Sequence, residues 1–270
     1  KIIFHYGPYS TSFPVRQWPS SNVMPATNRM PQVADAIITY VGELADAKYI
    51  AMIDASLNGN NPCVNAAVAG AAADTLHSGA VTASGKAATI PQATGKLLDA
   101  TKTFTICYAE TSGSNTDTSW RDSYVRVRIS KIHTFSAHSV THKTYGSLAK
   151  TPALEITYAG SLAASMWVSM VDATLNSNFP CASGSVAAQA AGALNSPPDS
   201  PSSGVDQADG SKVVTFDTTK MHSSTVFAVC YAETGGTDTD SWVDTGLRLT
   251  VSKIIFHYGP YSTSFPVRQW

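Results

Sequence analysis

The segment TFTICYAETSGSNTDTSWRDSYVRVRISKI, Thr103 to Ile132, decides how the chain is read, because a diverged copy, TVFAVCYAETGGTDTDSWVDTGLRLTVSKI, occupies Thr225 to Ile254. Each copy has an apolar run, a polar loop and a second run in which apolar side chains alternate. In the first copy Val125, Val127 and Ile129 alternate with polar residues, the two-residue period of a half-buried strand. The segment therefore predicts a strand, a hairpin loop and a second strand, present twice.

Related segments also precede this hairpin in both halves of the chain. ITYVGELADAKYIAMIDASLNGNNPC ends at Cys63, and ITYAGSLAASMWVSMVDATLNSNFPC ends at Cys181. In the first copy, residues 36–42 and 49–57 predict strands and residues 58–62 predict a loop. The Ala-rich residues 64–76 are compatible with a short helix or with a loop of small side chains. Several short strands separated by turns predict an antiparallel β-sandwich in each half.

An exact duplication sets the outer boundaries of the repeat. KIIFHYGPYSTSFPVRQW fills residues 1–18 and recurs unchanged at residues 253–270. With Lys131 as the equivalent position between them, we predict module 1 at 1–130, module 2 at 131–252 and the start of a further repeat at 253–270. A tandem array explains this pattern, and an engineered duplication of one terminal segment is the alternative.

The duplicated segment predicts a strand followed by a linker between modules. Residues 2–6 have the character of a strand, and Gly7 and Pro8 would end it. The segment is rich in aromatic residues, which predicts a stiff or packed junction. The predicted inter-module contacts are Phe4, Tyr6, Tyr9, Phe13, Trp18, Phe256, Tyr258 and Trp270.

Composition and motifs exclude several classes of function. Charged residues make up 14% of the chain, and 18 Lys and Arg are scattered among 19 acids, whereas nucleic-acid binding needs a concentrated basic face. No apolar run approaches the roughly 18 to 20 residues of a membrane span. Phosphate-binding Gly-rich loops, nucleophile elbows and zinc-protease motifs do not occur. We therefore expect no enzyme, no cofactor and no metal site.

Four cysteines lie two per module at equivalent positions. Pairing Cys63 with Cys107, and Cys181 with Cys230, closes one loop inside each module and is the simplest of the three possible connectivities. Four buried free thiols are the alternative, and a structural zinc site lacks its close cysteine spacing. Disulfides predict an extracellular or cell-surface protein.

Recurring acidic residues are the main candidates for chemistry. Asp54 and Asp172 fall inside apolar strands, where a carboxylate needs partners; capping of backbone amides is preferred over a calcium ligand or a catalytic role. Glu110 with Asp122, like Glu233 with Asp244, flanks the hairpin loop. An acid–base pair is conceivable there, but a solvated hairpin base explains the acids equally well.

The remaining aromatic and histidine candidates favour structural roles. Trp120 and Trp242 are expected to cover a sandwich edge rather than stack on a sugar. The spacing of His133, His138 and His142 fits no metal motif.

One segment of module 2 predicts glycosylation. NSPPDSPSSG at 195–204 is rich in Ser and Pro and predicts a disordered, O-glycosylated surface loop. No Asn-x-Ser/Thr triplet occurs in the sequence, so any glycan would be O-linked. The candidate residues are Ser196, Pro197, Pro198, Ser200, Pro201, Ser202 and Ser203.

Tandem modules of about 120 residues with a Cys pair and the ending CYAE…DxxWxDSxVRxxISK resemble the immunoglobulin-like β-sandwich repeats of large extracellular proteins. They are similar, more loosely, to repeat proteins of algal and protist surfaces and fibres. In true immunoglobulin domains the tryptophan lies between the cysteines, whereas Trp120 and Trp242 follow the second one. The resemblance implies the architecture and no functional residues.

These observations favour a structural subunit of an extracellular filament that assembles head to tail with copies of itself. The alternative is a cell-surface adhesin or a carbohydrate-binding array, whose ligand would lie at the hairpin loops after Cys107 and Cys230. Both loops are rich in Gly, Ser, Thr and Asp and carry no aromatic residue before the tryptophan, which favours the filament.

Overall fold

The computed structural model describes residues 3–6, 28–192, 200–254, 257–258 and 264–265. The chain divides into two compact units, Lys1–Lys131 and Ile132–Trp270. Each unit contains two larger β-sheets and a few short helical turns, and the second unit also contains a separate two-stranded sheet.

The first unit, module 1, is a sandwich of a three-stranded and a five-stranded sheet. The three-stranded sheet has the order β1-β3-β6 and the five-stranded sheet the order β2-β8-β7-β4-β5. The strands are β1 (Ile3–Tyr6), β2 (Asn28–Pro31), β3 (Ala36–Val41), β4 (Tyr49–Asp54), β5 (Val81–Thr82), β6 (Ala87–Ile90), β7 (Thr103–Ala109) and β8 (Arg121–Ser130).

The second unit, module 2, repeats this plan. One sheet has the order β10-β9-β12-β15 and the other the order β11-β17-β16-β13-β14. The strands are β9 (Thr134–Ala137), β10 (Val140–His142), β11 (Tyr145–Ala149), β12 (Leu154–Ala159), β13 (Trp167–Asp172), β14 (Ser202–Gln207), β15 (Val213–Phe216), β16 (Phe227–Ala232) and β17 (Val243–Ser252). A separate two-stranded pair follows, β18 (His257–Tyr258) and β19 (Ser264–Phe265).

Alternation along the strands builds the sandwich core. In β8, the predicted inward residues Val125, Val127 and Ile129 are buried and belong to the main core of module 1. Phe104 and Ile106 of β7 join the same core. The period-two prediction is confirmed here, because every second side chain of a strand faces the same side of its sheet.

The central strands are buried on both faces. In β4, Ile50 and Met52 face the sandwich core, whereas Ala51 and Ile53 belong to a second cluster on the outer face of the same sheet. A strand covered on both sides reads as a continuous apolar run rather than an alternating one. The unbroken apolar run YIAMI of β4 therefore reflects the fact that other residues also cover the outer face of this sheet.

The all-β fold is confirmed, with one change to the prediction of purely antiparallel sheets. The opening strand of each module is split into two parts. In module 1, β1 pairs antiparallel with β3, and β2 then pairs parallel with β8. In module 2, β9 pairs with β12 and β11 with β17 in the same way. Two sandwiched sheets in this order form an immunoglobulin-type arrangement.

Of the predicted inter-module strand and linker at residues 1–18, the structure describes residues 3–6 and places them in module 1, whereas the rest of the segment lies outside the described residues. Ile3–Tyr6 is the first strand of the three-stranded sheet of module 1. The chain passes from β8 to β9 through residues 131–133, a stretch with no proline and with His133 as its only ring-bearing residue. Three residues therefore connect the last strand of module 1 to the first strand of module 2.

Each Ala-rich stretch contains one complete helical turn, and two further short turns precede it in each module. In module 1 the turns are Leu57–Asn60, Pro62–Val64 and Ala66–Ala69, and in module 2 they are Leu175–Asn178, Pro180–Ala182 and Gly184–Ala187. In the described residues, no helix has the length and apolar character needed to cross a membrane.

Candidate functional site

Each module has a covering segment over the outer face of the five-stranded sheet, residues 55–80 in module 1 and, in the described residues, 173–192 and 200–201 in module 2. A disulfide joins Cys63 of this segment to Cys107 of β7, and another joins Cys181 to Cys230 of β16. Both cysteine pairs are buried, in clusters distinct from the sandwich cores. The predicted pairing is confirmed, and each bond fastens the cover to one sheet.

The tryptophan after each hairpin loop packs into the disulfide cluster. Trp120 and Trp242 are buried beside their cysteine pairs. The Trp120 Nε1–H donates to the Ser114 carbonyl at 2.9 Å, and the Trp242 Nε1–H donates to the Thr237 carbonyl at 2.9 Å. These rings therefore fill the space between sheet and cover, as a structural role requires, with their polar edge satisfied.

Small residues let the cover, the loop and the sheet approach closely. A Cβ added at Gly113 or Gly236 in the hairpin loops would lie 2.4 or 2.5 Å from the ring of Tyr49 or Trp167, respectively. A Cβ at Gly70 would meet the backbone of the loop at 2.5 Å. Glycine is thus a packing requirement at these three positions.

A carboxylate organises the hairpin loop of module 1. Asp117 accepts hydrogen bonds from the backbone N–H groups of Ser112 at 2.6 Å, Gly113 at 2.8 Å and Ser119 at 2.8 Å. It also accepts from the Ser119 hydroxyl at 2.6 Å. This Ser119 hydroxyl, followed by the backbone donors, holds the pKa of Asp117 well below its ordinary value.

The loop of module 2 uses a related device with fewer bonds. Asp240 accepts from the N–H groups of Gly235 at 2.8 Å and Thr237 at 3.0 Å. The Thr237 N–H is the main cause of the lowered pKa of Asp240. Both loops are therefore held by an internal carboxylate whose charge the backbone satisfies.

The predicted acid pairs take a different form in the structure. Asp122 is paired with Arg126 through two bonds, Nη2 to Oδ2 at 2.8 Å and Nη1 to Oδ1 at 3.0 Å. Asp244 and Arg248 form the same bidentate pair at 2.8 and 2.9 Å. Glu110 is exposed. Asp122 and Asp244 are engaged by arginines four residues along their own strands, so the interpretation as acid–base pairs gains no support.

The two aspartates at the strand ends cap backbone amides, as the preferred interpretation held. Asp54 Oδ1 accepts from the N–H and the hydroxyl of Ser56, both at 2.9 Å. Asp172 Oδ1 accepts from the N–H of Thr174 at 2.8 Å and its hydroxyl at 2.7 Å. Each carboxylate therefore turns the chain from its strand into the cover.

The histidines of module 2 are placed by packing. His142 is buried against Gly146, where an added Cβ would lie 2.0 Å from the ring. Burial lowers the pKa values of His142 and His133. Across the described ranges, no three His, Cys, Asp or Glu side chains form a group that could hold a metal ion.

The prediction of a disordered, O-glycosylated loop at residues 195–204 is wrong for the part of this segment that the structure describes, residues 200–204. Ser200, Ser202 and Ser203 are buried, and Ser202–Gln207 is strand β14 rather than a disordered loop. The Ser203 hydroxyl donates to the Gly204 carbonyl and accepts from the Met170 N–H. A buried, hydrogen-bonded hydroxyl cannot carry a sugar, so these three serines and the buried Pro201 are not glycan positions. Ser196, Pro197 and Pro198 lie outside the described residues.

Most of the aromatic residues that were predicted to form inter-module contacts lie outside the described residues. Phe4 and Tyr6 lie on β1, and Tyr258 lies on β18. The others, Tyr9, Phe13, Trp18, Phe256 and Trp270, lie outside the described residues.

The parallel pairing of the second part of each split opening strand, β2 or β11, with the last strand of the sandwich, β8 or β17, is a feature that the sequence interpretation missed. In module 1, Asn28–Pro31 of β2 pairs with Val127–Ser130 of β8. In module 2, Tyr145–Ala149 pairs with Arg248–Ser252 of β17. A further bond extends each patch, from Gln32 N–H to the Ser130 carbonyl at 2.7 Å and from Lys150 N–H to the Ser252 carbonyl at 2.8 Å. We call these the parallel patches.

Comparison with known proteins gives little beyond this geometry. No family model matches the chain, and no curated protein matches it. A marsupial T cell receptor structure is 8% identical with a TM-score of 0.22, covering 93% of this chain and 73% of the receptor chain.

Two further solved structures are similar at the same level. A chimeric titin Z1Z2–Z1Z2 tandem is 6% identical with a TM-score of 0.24, covering 83% of this chain and 97% of that one. Dpr2 Ig1–Ig2 in complex with DIP-Theta Ig1–Ig3 is 8% identical with a TM-score of 0.21, covering 83% and 62%. Superpositions this loose carry no argument about function, which therefore rests on the geometry above.

Proposed function

We propose that the chain is a load-bearing structural repeat of an extracellular filament, joined head to tail with copies of itself. The parallel patches carry this proposal. In each module, a strand close to where the chain enters lies beside the strand by which it leaves, and the two run parallel. Tension on the two ends of a module therefore pulls these strands in opposite directions along their length.

This loading geometry resists force because the hydrogen bonds are stretched together. When two adjacent strands are pulled lengthwise in opposite directions, every bond between them must fail at nearly the same extension. Strands pulled apart from one end open one bond at a time and need less force. A parallel pair of entry and exit strands is thus suited to a chain held under tension.

The disulfides support the same role. The Cys63–Cys107 bond spans 44 residues and the Cys181–Cys230 bond spans 49, and both fasten the cover to a strand of the patch-bearing sheet. Cross-links of this kind limit how far a module extends after its patch fails. They also favour an oxidising, extracellular setting.

The recurring polar groups form hydrogen bonds and ion pairs within their own module, which favours a structural role over ligand binding. The recurring groups that sequence analysis singled out, Asp54, Trp120 and Asp122 with their counterparts in module 2, are engaged by the module's own backbone or arginine. A structural repeat needs no catalytic group and no cofactor.

Electron microscopy of the native material, with mass spectrometry of the same sample, tests this proposal. The expected result is filaments with a regular axial repeat and with both disulfides intact. Dispersed particles that bind a carbohydrate array through the loops at residues 110–120 or 233–242 would overturn it in favour of an adhesin. Peptide mapping of residues 193–199 establishes whether the remaining Ser and Pro positions carry O-linked sugar.

A further inference from the structure

The outer edge of the three-stranded sheet of module 1 is occupied by a segment whose sequence the chain contains twice. β1 lies at this edge and pairs with β3 in the register Ile3 to Val41, Phe4 to Tyr40, His5 to Thr39 and Tyr6 to Ile38. The same letters recur at residues 253–270. Residues 255–258 have the same sequence as residues 3–6, so they could form the same backbone pairs with β3.

Module 2 shows where such a strand belongs in the repeat. β8 ends at Ser130, and the strand that opens module 2, β9, begins four positions later at Thr134. β17 ends at Ser252, and the position equivalent to Ile3 in the second copy is Ile255. Ile255 thus follows the last strand of module 2 at nearly the same spacing at which β9 follows the last strand of module 1.

Within the described residues, the repeated segment at 253–270 does not form this pairing. His257–Tyr258 pairs with Ser264–Phe265 in a two-stranded sheet that is separate from the sheets of both sandwiches. An isolated two-stranded hairpin is marginally stable in water. Transfer of this segment to a sheet edge places it in a sheet backed by a hydrophobic core, a more stable setting.

We infer that the edge of β3 is an acceptor site for residues 253–270 of a second copy of this chain, which bind as an antiparallel strand in the register of β1. Residues 253–270 are chosen as the partner because their sequence is identical to that of residues 1–18, which include β1, and not because of general β-propensity. The inference deepens the proposed function, on which it rests for its setting, because it supplies the head-to-tail joint. Each joint would be the opening strand of one module drawn from the preceding copy.

The tethered β1 of the same chain is the competitor for this site. Because β1 is covalently part of module 1, its pairing with β3 is intramolecular and has the advantage of a high effective concentration, so exchange between copies is favoured when β1 is prevented from pairing. In an antiparallel ladder alternate residues direct their N–H groups to the partner, so one of Phe4 and His5 donates to β3. Proline at both positions removes that donor whichever residue supplies it.

The test uses the full chain with the substitutions Phe4→Pro and His5→Pro, analysed by light scattering across a concentration series. Because residues 253–270 are intact, the expected result is a ladder of multimers, with mean mass rising at least twofold above the monomer. The matched control adds Phe256→Pro and His257→Pro, and it should remain monomeric. Amide exchange at Thr39 should be slow in the multimer and fast in the control.

Two results would overturn the inference. One is a monomeric Phe4→Pro/His5→Pro variant, and the other is association that persists in the four-proline control. Where module 1 unfolds in the variant, a synthetic peptide of residues 253–270 should restore its fold, and failure to restore it counts equally against the inference. Electron microscopy of native filaments judges the proposed function separately, since copies could join through another surface.

Discussion

The two modules differ most instructively in their parallel patches. Module 1 pairs four residues of β2 with β8, and module 2 pairs five residues of β11 with β17. The side chains have diverged from Asn28-Arg29-Met30-Pro31 to Gly146-Ser147-Leu148-Ala149. The strand direction and the terminal bond to Ser130 or Ser252 are the same in both. Backbone geometry is kept where side-chain identity is not, which is expected when the function lies in hydrogen bonds.

Pro31 fits this comparison because of the side of the strand it occupies. The Gln32 N–H donates to β8, and neighbouring residues on a strand direct their N–H groups to opposite sides. Position 31 would therefore direct an N–H away from β8, where proline removes nothing from the patch. Proline there also blocks the addition of another strand to this edge.

The largest expected effect is the loss of a disulfide. Replacing Cys63 and Cys107 by Ala should lower the free energy of unfolding of module 1 by about 4 kcal/mol, and replacing Cys181 and Cys230 should cost module 2 nearly the same, because the closed loops are similar in length. Urea denaturation of each variant measures this. A difference above about 1 kcal/mol between the modules would show that packing of the cover, rather than loop closure, determines the cost.

A smaller effect is expected at the arginine–aspartate pair. Thr105 of module 1 donates to Asp122 at 2.9 Å and accepts from Arg126, whereas Ala228 holds this position in module 2. Thr105→Ala should cost module 1 about 1 kcal/mol, the usual net value of a buried hydrogen bond. The Ala228→Thr variant is the matched control and should leave module 2 equal or more stable. Chemical denaturation that gives no loss for Thr105→Ala would contradict this role.

A bulge in β8 and β17 gives the next comparison. Tyr124 has φ of 61° and is exposed, while the equivalent Gly246 has φ of 85°. The left-handed conformation costs a non-glycine residue about 1 to 2 kcal/mol, and added chain entropy offsets about 0.4 to 1 of this. Tyr124→Gly should therefore stabilise module 1 by about 0.5 to 1 kcal/mol, and Gly246→Tyr should destabilise module 2. Thermal unfolding of both variants decides it, and a destabilised Tyr124→Gly would contradict the strain argument.

The smallest expected effect is a pH dependence of the hairpin loop of module 1. Because hydrogen bonds lower the folded-state pKa of Asp117, its stabilisation is full above the ordinary pKa of about 4 and declines as the pH falls toward the folded value. Asp117→Asn should weaken the loop most at pH 7 and have a smaller effect at pH 2. Amide exchange at Gly113 measures this, and equal effects at both pH values would contradict it.

The sequence predicted what periodicity and repetition encode. Alternating Val125, Val127 and Ile129 predicted a half-buried strand, and equivalent positions predicted both disulfides. The burial of Ser202 and Ser203 could not be read from a Ser- and Pro-rich segment, because composition predicts solubility and not the β13 partner that covers them. The parallel patches were also missed, since parallel partners far apart in sequence leave no local signal, and the position of Trp120 after the second cysteine did not reveal that it packs on the disulfide.

Single-molecule force spectroscopy on the disulfide-intact chain tests the load-bearing role most directly. About 60 residues lie outside the cross-linked loop between the ends of each patch. Two high-force events of equal size are therefore expected, each releasing roughly 200 Å at about 3.4 Å per residue. The five-pair patch of module 2 should fail at the higher force, and reduction should lengthen both events. Gradual extension at low force, with no discrete events, would contradict the account.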